Sequence, residues 1–282
     1  MINTVLVLGA TGKTGRRLVP RLKARGVDVR EASRRPSDGR TIFDWDRPDT
    51  YGPALAGVDA IYLVPPELVE DPTALVGPFL DCAAQLGVTS VVALSSLGSQ
   101  FPNEAPASGR RKLEQRVRAS GLTWTILRPS GFAQNFSEAF LLPGIVQANM
   151  MATVTGDGAV AFVDADDIAA VAAVALTEAG HSGAEYVVTG PKALTFAQAA
   201  AAISAVTGRT ITHRDISSSE LMQILQGAGL PADYAAMVVG DQEAIRDGFG
   251  SLVTDIVATV SGRPATTFAD YAARAASVWS RS

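Results

Sequence analysis

The chain has very little of what metal centres and cross-links are built from. One cysteine, Cys82, and two histidines, His181 and His213, occur in 282 residues. A single thiol makes no internal disulfide, so nothing points to an oxidising compartment. Cys82 sits in an apolar helical stretch and reads as an inert buried thiol. So few histidines argue against a zinc site, and the lack of a G-x-S-x-G turn argues against a Ser-His-Asp hydrolase. No apolar run approaches the roughly 20 residues that cross a bilayer. The first such run, Val5 to Leu8, is too short for a secretory signal and leads straight into glycine. A basic excess is missing too. The net charge is −4, and the one basic cluster, Arg110, Arg111 and Lys112, reads as a solvated helix face. The expectation is a cytoplasmic protein, monomeric or homodimeric, with no membrane or nucleic-acid partner.

What is present is ordinary globular material, 47% hydrophobic and 18% charged. In the first half, short β-branched runs alternate with helical stretches. Strands are predicted at Thr4–Leu8, Val27–Ala32, Thr41–Phe43, Asp59–Val64, Ser90–Leu94 and Thr123–Leu127, with helices at Lys13–Ala24, Thr73–Leu86 and Arg110–Ala119. That alternation implies parallel strands with crossover helices, an α/β doubly wound sheet. The second half changes texture. Helices are predicted at Asp164–Leu176 and Thr195–Val206, and the pattern is mostly helical from Ser217 to Trp279, with strands at Ala184–Val188 and Thr210–His213.

The first strand runs into Gly9-Ala10-Thr11-Gly12-Lys13-Thr14-Gly15 and then a helix. In that context each glycine has a use. Gly9 allows the tight turn, Gly12 lets the backbone approach a pyrophosphate, and Gly15 lets helix and strand pack closely. Amides at the helix start then face an anion. A glycine triplet also occurs as a plain structural turn, but here it opens an alternating α/β domain, and a dinucleotide is the stronger reading. The end of the second strand selects which one. NAD sites usually carry an acid there; this chain has Ser33, then Arg34 and Arg35, and an arginine pairs well with the 2′-phosphate of NADP(H). Lys13 and Arg16 could add to that pocket. Glu31 keeps NAD(H) open, and a basic surface turn is the plainer alternative. Asp44 and Trp45 follow the third strand, where a side chain could reach the adenine amine.

The chain resembles the NmrA-like group of atypical short-chain dehydrogenases/reductases. The resemblance rests on GATGKTG at Gly9–Gly15, FDWDRPDTYGPALAGVDAIYLVPP at Phe43–Pro66, VVALSSLGS at Val91–Ser99, SGLTWTILRPSGFAQNF at Ser120–Phe136 and FVDADDIAAVAAVAL at Phe162–Leu176. Tyr186–Ile211 looks like the opening of that group's substrate lobe. Within the group the chain is most similar to bacterial relatives of ergot-alkaloid iminium reductases, with quinone and triphenylmethane-dye reductases close by. The resemblance implies a Rossmann-type sheet with a smaller, mostly helical C-terminal substrate lobe. The domains expected are a dinucleotide-binding domain over 1–150, completed by segments within 151–190, and a substrate lobe over 191–282.

One departure matters. Ordinary members of the superfamily use a Tyr-x-x-x-Lys pair, whereas this chain reads Ser108-Gly-Arg-Arg-Lys112. Lys112 falls at the lysine position, which implies an anchor for the nicotinamide ribose and an electrostatic aid; its alternative is a solvated helix lysine. Ser108 takes the tyrosine position, and a serine hydroxyl is a poor acid at neutral pH. Alcohol oxidation by the usual route is therefore not expected. Iminium ions and quinones are electrophilic enough to accept hydride with mostly positioning from the protein. Ser95, Ser96 and Leu97 end the fifth strand at the carboxyl edge, where open α/β sheets bind ligands. Ser96 reads as a nicotinamide or substrate contact, or as a cap for the next turn. Val64 and Pro65 would pass beneath the cofactor, and Pro129 and Ser130 would line its nicotinamide end. Phe132, Phe136 and Phe140 lie at helical spacing and read as the wall of an aromatic pocket or as core. His213 is a candidate for the missing acid or a packed histidine. Two functions follow: an NADPH-dependent reductase of a small conjugated or aromatic acceptor, or a non-catalytic NADP(H)-binding redox sensor.

Overall fold

A computed structural model describes residues 2–35 and 39–280. The chain forms two compact units: residues 1–99, 105–129 and 165–187 in the first, and residues 100–104, 130–164 and 188–282 in the second.

The first unit is built on seven strands: β1 (Thr4–Val7), β2 (Asp28–Ser33), β3 (Thr41–Ile42), β4 (Ala60–Leu63), β5 (Ser90–Leu94), β6 (Thr123–Pro129) and β9 (Ala184–Val188), in the order β3-β2-β1-β4-β5-β6-β9. The pairs β1–β2, β1–β4, β2–β3, β4–β5 and β5–β6 are parallel. Gly183 N to Trp124 O at one end and Ser130 N to Val188 O at the other run β6 and β9 in the same direction. Strand order moves outward from β1 one way and from β4 the other, so the topological switch, and the ligand crevice it creates, lies between the carboxyl ends of β1 and β4.

Strand residues alternate between faces. Leu6, Leu8, Ile61, Leu63, Val91, Ala93 and Ile126 face one way and pack on α2 (Tyr51–Leu55), α3 (Thr73–Gln85) and α4 (Gly109–Arg118). Residues between them, such as Tyr62, face the side of α1 (Gly15–Ala24) and α5 (Ala165–Thr177), which pack on each other. A sheet covered on both faces explains why its central strands read as continuous apolar runs.

The second unit pairs β7 (Met150–Thr153) with β11 (Thr212–Asp215) in parallel and β8 (Ala159–Val160) with β10 (Leu194–Thr195) antiparallel. The helices α6 (Phe196–Thr207), α7 (Ser218–Gly227), α8 (Ala232–Arg246), α9 (Ile256–Ser261) and α10 (Phe268–Ala275) complete it. The Thr195 side chain and Gln198 form a reciprocal cap on α6, and Gly208, at φ +66°, ends it. Phe136, Phe162, Phe196 and Phe268 meet edge to face or tilted, with centroids 5.0–5.8 Å apart. Trp279 closes this core by donating from Nε1 to Phe136 O at 2.7 Å. Among the described residues, no helix is long and apolar enough to cross a membrane, and no group of three or more His, Cys, Asp or Glu is placed to hold a metal.

Candidate functional site

The glycine turn stands at the switch point. Gly9 takes φ +62°, a left-handed conformation that L side chains rarely adopt, and Gly12 N closes the turn on Gly9 O at 2.8 Å. A Cβ on Gly15 would overlap that same carbonyl oxygen and the Ala10 backbone, so only glycine lets α1 begin there. A Cβ on Gly12 would sit 3.2 Å from Gly9 O, and one on Gly9 would touch Val64 at 3.6 Å. Backbone and α1 N-terminus are thereby bared to a ligand of negative charge. Gly9 is required by its left-handed backbone and Gly15 by the space a Cβ would fill, and a backbone so bared suits a pyrophosphate. Thr11 is exposed, Lys13 partly exposed and Thr14 buried. Thr14 lies beside the Tyr62 hydroxyl, which is fully buried without a well-aligned hydrogen bond; burial pushes that phenol above its usual range.

At the end of β2, Ser33 Oγ accepts from Arg35 N at 3.3 Å and Arg34 is exposed. Glu31 is committed elsewhere: Lys23 Nζ lies 2.8 Å and Arg40 Nε 3.2 Å from its carboxylate, and those partners, Lys23 first, hold it below the usual range. Among the described residues, the acid nearest the tip of β2 is thus held in ion pairs. Asp44 and Trp45 have structural work. Asp44 Oδ1 accepts from Asp46 N at 3.2 Å. Trp45 packs among Phe43, Tyr51 and Phe79 at centroid distances of 4.9–6.1 Å. That packing holds the partly buried indole against the core.

Several expected contacts prove to be internal. Ser95 Oγ donates to Glu114 Oε1 at 2.7 Å. Ser96 Oγ accepts from Gly98 N at 3.1 Å, the cap alternative, while Leu97 is buried. Pro129 is buried, and Ser130 donates from Oγ to Ala161 O at 2.5 Å. Phe136 is fully buried in its ring cluster and cannot wall a pocket. Phe132 is partly exposed and Phe140 is 47% exposed. No helix runs through these three rings; a short 3-10 turn, Ala133–Phe136, stands there instead. His213 Nε2 bonds Thr153 Oγ1 at 2.7 Å, and burial depresses its pKa against the opposing charges of Asp215 and Asp157. A ring so held is neutral at pH 7 and is a packed histidine.

Ser108 is the N-cap of α4 and accepts from Arg111 N at 3.4 Å. Its neighbour Gly109 is pressed against the β4–α3 connection: a Cβ there would overlap Glu70 O, and Gly109 N donates to Glu70 Oε1 at 3.0 Å. Lys112 is no free surface lysine. Its Nζ lies 2.6 Å from Asp71 Oδ2, and that bond raises its pKa above the ordinary lysine value.

Sequence reading missed two acids. Asp71 left one local trace, an Asp two residues before Thr73 at the start of α3, which is an Asx-turn signature. Glu114 is the one acid of α4, and its carboxylate takes bonds from Ser95, Ser99, Arg128 and Arg118. Burial pushes it up, but Arg128, Ser95 and Ser99 outweigh that and bring it down to about 2.

Residues 9–179 match the model of a family described as NAD(P)H-binding. The chain is 39% identical over 281 residues to the uncharacterized oxidoreductase YesF of Bacillus subtilis, spanning 98% of this chain and 96% of that protein. It is 34% identical to an NAD(P)H azoreductase of Xenophilus azovorans, spanning 95% and 96%. The crystal structure of an NADPH-dependent quinone oxidoreductase, QOR2, of Escherichia coli complexed with NADPH aligns with a TM-score of 0.78 at 23% identity, spanning 96% and 99%, and shows the shared fold.

Proposed function

Because the chain belongs to the NAD(P)H-binding family, we propose that it is an NADPH-dependent reductase of the NmrA-like atypical short-chain dehydrogenase/reductase type, acting on a small conjugated or aromatic acceptor: an imine or iminium, a quinone, an enone or a dye. The observation that carries this reading is the glycine cradle at the β1–β4 switch point, which leaves no room for a side chain at Gly15. In this reading the cradle holds the pyrophosphate, Ser33 and Arg34 hold the 2′-phosphate, and Lys112 holds the nicotinamide ribose.

NADPH, when bound, supplies the hydride. The protein's part is to bind, orient and exclude water. Ser108 Oγ caps α4 and a serine hydroxyl is a poor acid at neutral pH, so an acceptor that needs a strong acid at that place is a poor substrate. An acceptor already electrophilic fits better, and the azo bond named for one relative is of that kind.

The test is nicotinamide fluorescence on titration with NADPH, followed by a panel of quinones, cyclic imines, azo compounds and triphenylmethane dyes. NADPH binding with acceptor-dependent loss of signal is expected. Binding without turnover on any acceptor favours the sensor, and failure to bind either NADPH or NADH overturns both readings.

A further inference from the structure

The β4–α3 connection arrives at the start of α4 under tight control. Gly109 has no side chain, which lets the Glu70 carbonyl press against the helix, and Gly109 N is bonded to Glu70 Oε1. The next residue, Asp71, is held from two directions. Its Oδ1 accepts from Thr73 N at 3.1 Å and from Thr73 Oγ1 at 2.5 Å, fixing it to the first turn of α3. Its Oδ2 faces Lys112 Nζ at 2.6 Å. One carboxylate thus joins the N-terminal turns of two helices, on the connection that leaves β4 beside the glycine cradle.

We propose that Asp71 is a positioning residue for Lys112: it fixes the ammonium at the place where the nicotinamide ribose is to be held. The proposal rests on the reductase reading of the site. A lysine carries four rotatable carbons, and ordering them on a ligand costs free energy that a prior tether removes. An ammonium has three donors. Asp71 takes one, and its other oxygen is anchored on Thr73, so it acts as a post rather than a competitor that must swing away.

The groups facing Lys112 are few. Asp71 and Glu70 both act on it from the β4–α3 connection, Asp71 the more strongly. On α4 one turn further, Arg116 is taken up by Asp81 and Gly77 O of α3. Removing the Asp71 charge therefore leaves Lys112 without a fixed partner, while the remaining neighbours keep theirs.

The experiment is a double-mutant cycle on the full chain, with NADPH affinity read by nicotinamide fluorescence and acceptor KM and kcat read separately. Asp71→Asn is chosen because its side-chain oxygen can still accept from Thr73. NADPH binding is expected to weaken about tenfold in Asp71→Asn, to weaken in Lys112→Met, and to weaken no further in the double variant, while acceptor KM holds. The alkaline limb of NADPH affinity against pH should move to lower pH in Asp71→Asn, because Lys112 loses the partner that keeps it protonated. A merely structural Asp71 would lower Tm and weaken binding equally with or without Lys112; that additivity overturns the proposal. Wild-type affinity in Asp71→Asn overturns it as well. If Lys112→Met binds NADPH as the parent does, both the ribose role of Lys112 and the proposal fall. Failure of the parent chain itself to bind NADPH is instead the failure of the reductase reading.

Discussion

Arg128 grips Glu114 with two parallel hydrogen bonds, Nε to Oε1 at 2.8 Å and Nη2 to Oε2 at 2.5 Å, and both side chains are about 95% buried from solvent (6% and 5% exposed). Arg128 Nη1 also reaches Glu185 at 2.7 Å, and Arg118 bonds both acids, so two arginines face two carboxylates in β6, α4 and β9. Breaking a buried pair strands a charge, which costs about 3–5 kcal/mol. Glu114→Gln should lose stability of that order at pH 7 in urea unfolding. The sign of the pH dependence follows from a carboxyl held down to about 2 from an ordinary 4.5. Its contribution is complete above the unfolded value and is lost as pH falls through the folded one. The gap between parent and Glu114→Gln should therefore close between about pH 4.5 and pH 2; a gap that stays constant over that range would refute the assignment.

The glycine cradle makes a sharper demand. Gly15→Ala places a methyl group on the Gly9 carbonyl, so α1 must shift away from the turn or the turn must open. We expect NADPH affinity to fall at least tenfold, about 1.4 kcal/mol, with a measurable drop in Tm. Gly26→Ala is the comparison, because Gly26, at φ +77°, meets nothing within 4 Å. It should cost about 1 kcal/mol of stability through its left-handed backbone and leave NADPH affinity alone.

Ser108 separates two kinds of importance. As the N-cap of α4 it is worth about 1 kcal/mol, and as a proton donor it would be worth orders of magnitude in kcat. Its Oγ accepts from Arg111 N, which is the capping bond. Ser108→Ala should lower Tm and leave kcat for a good acceptor within about twofold, a factor worth only ~0.4 kcal/mol. A large loss of kcat without a loss of Tm would restore it as an acid.

How much of this was legible depends on the range over which each feature is decided. The strand at Ser90–Leu94 and the glycine turn are local: β-branched run, glycine spacing and helix start lie within a few residues, and sequence reading finds them. Residues 130–164 are decided at long range. Gly131 is small because a Cβ there would meet Val160 at 2.9 Å, and Phe136 is core because Phe162, Phe196 and Phe268 surround it. Three rings four apart imitate a helical stripe, and nothing nearby in sequence contradicts it. The site divides the same way. Gly9, Gly12 and Gly15 announce themselves, whereas Asp71 and Lys112 are 41 positions apart and Glu114 and Arg128 are partners only because β6 returns beside α4. Ser95 and Ser96 illustrate the converse: their place after the fifth strand is legible in the sequence, yet one hydroxyl turns to Glu114 and the other caps Gly98.

The cofactor preference rests on the tip of β2, where the ion pairs of Glu31 and the exposure of Arg34 act together. Glu31 is bound to Lys23 and Arg40 and does not reach forward to a ribose diol. Arg34 is exposed and follows directly on Ser33, the last residue of the strand. A 2′-phosphate placed there would gain a charge-assisted, bidentate partner, and a 2′-hydroxyl would gain little. Arg34→Ala should therefore weaken NADPH about 10- to 100-fold, the worth of a hydrogen-bonded ion contact of roughly 1.5–3 kcal/mol, while NADH affinity changes less than about twofold. Rising salt should erode NADPH binding by the parent more steeply than by the variant, because part of the parent's affinity is a screened charge contact. Titration of both nucleotides at two ionic strengths decides it. Equal losses for NADPH and NADH would place Arg34 on a part of the cofactor common to both, and the 2′-phosphate assignment would be wrong.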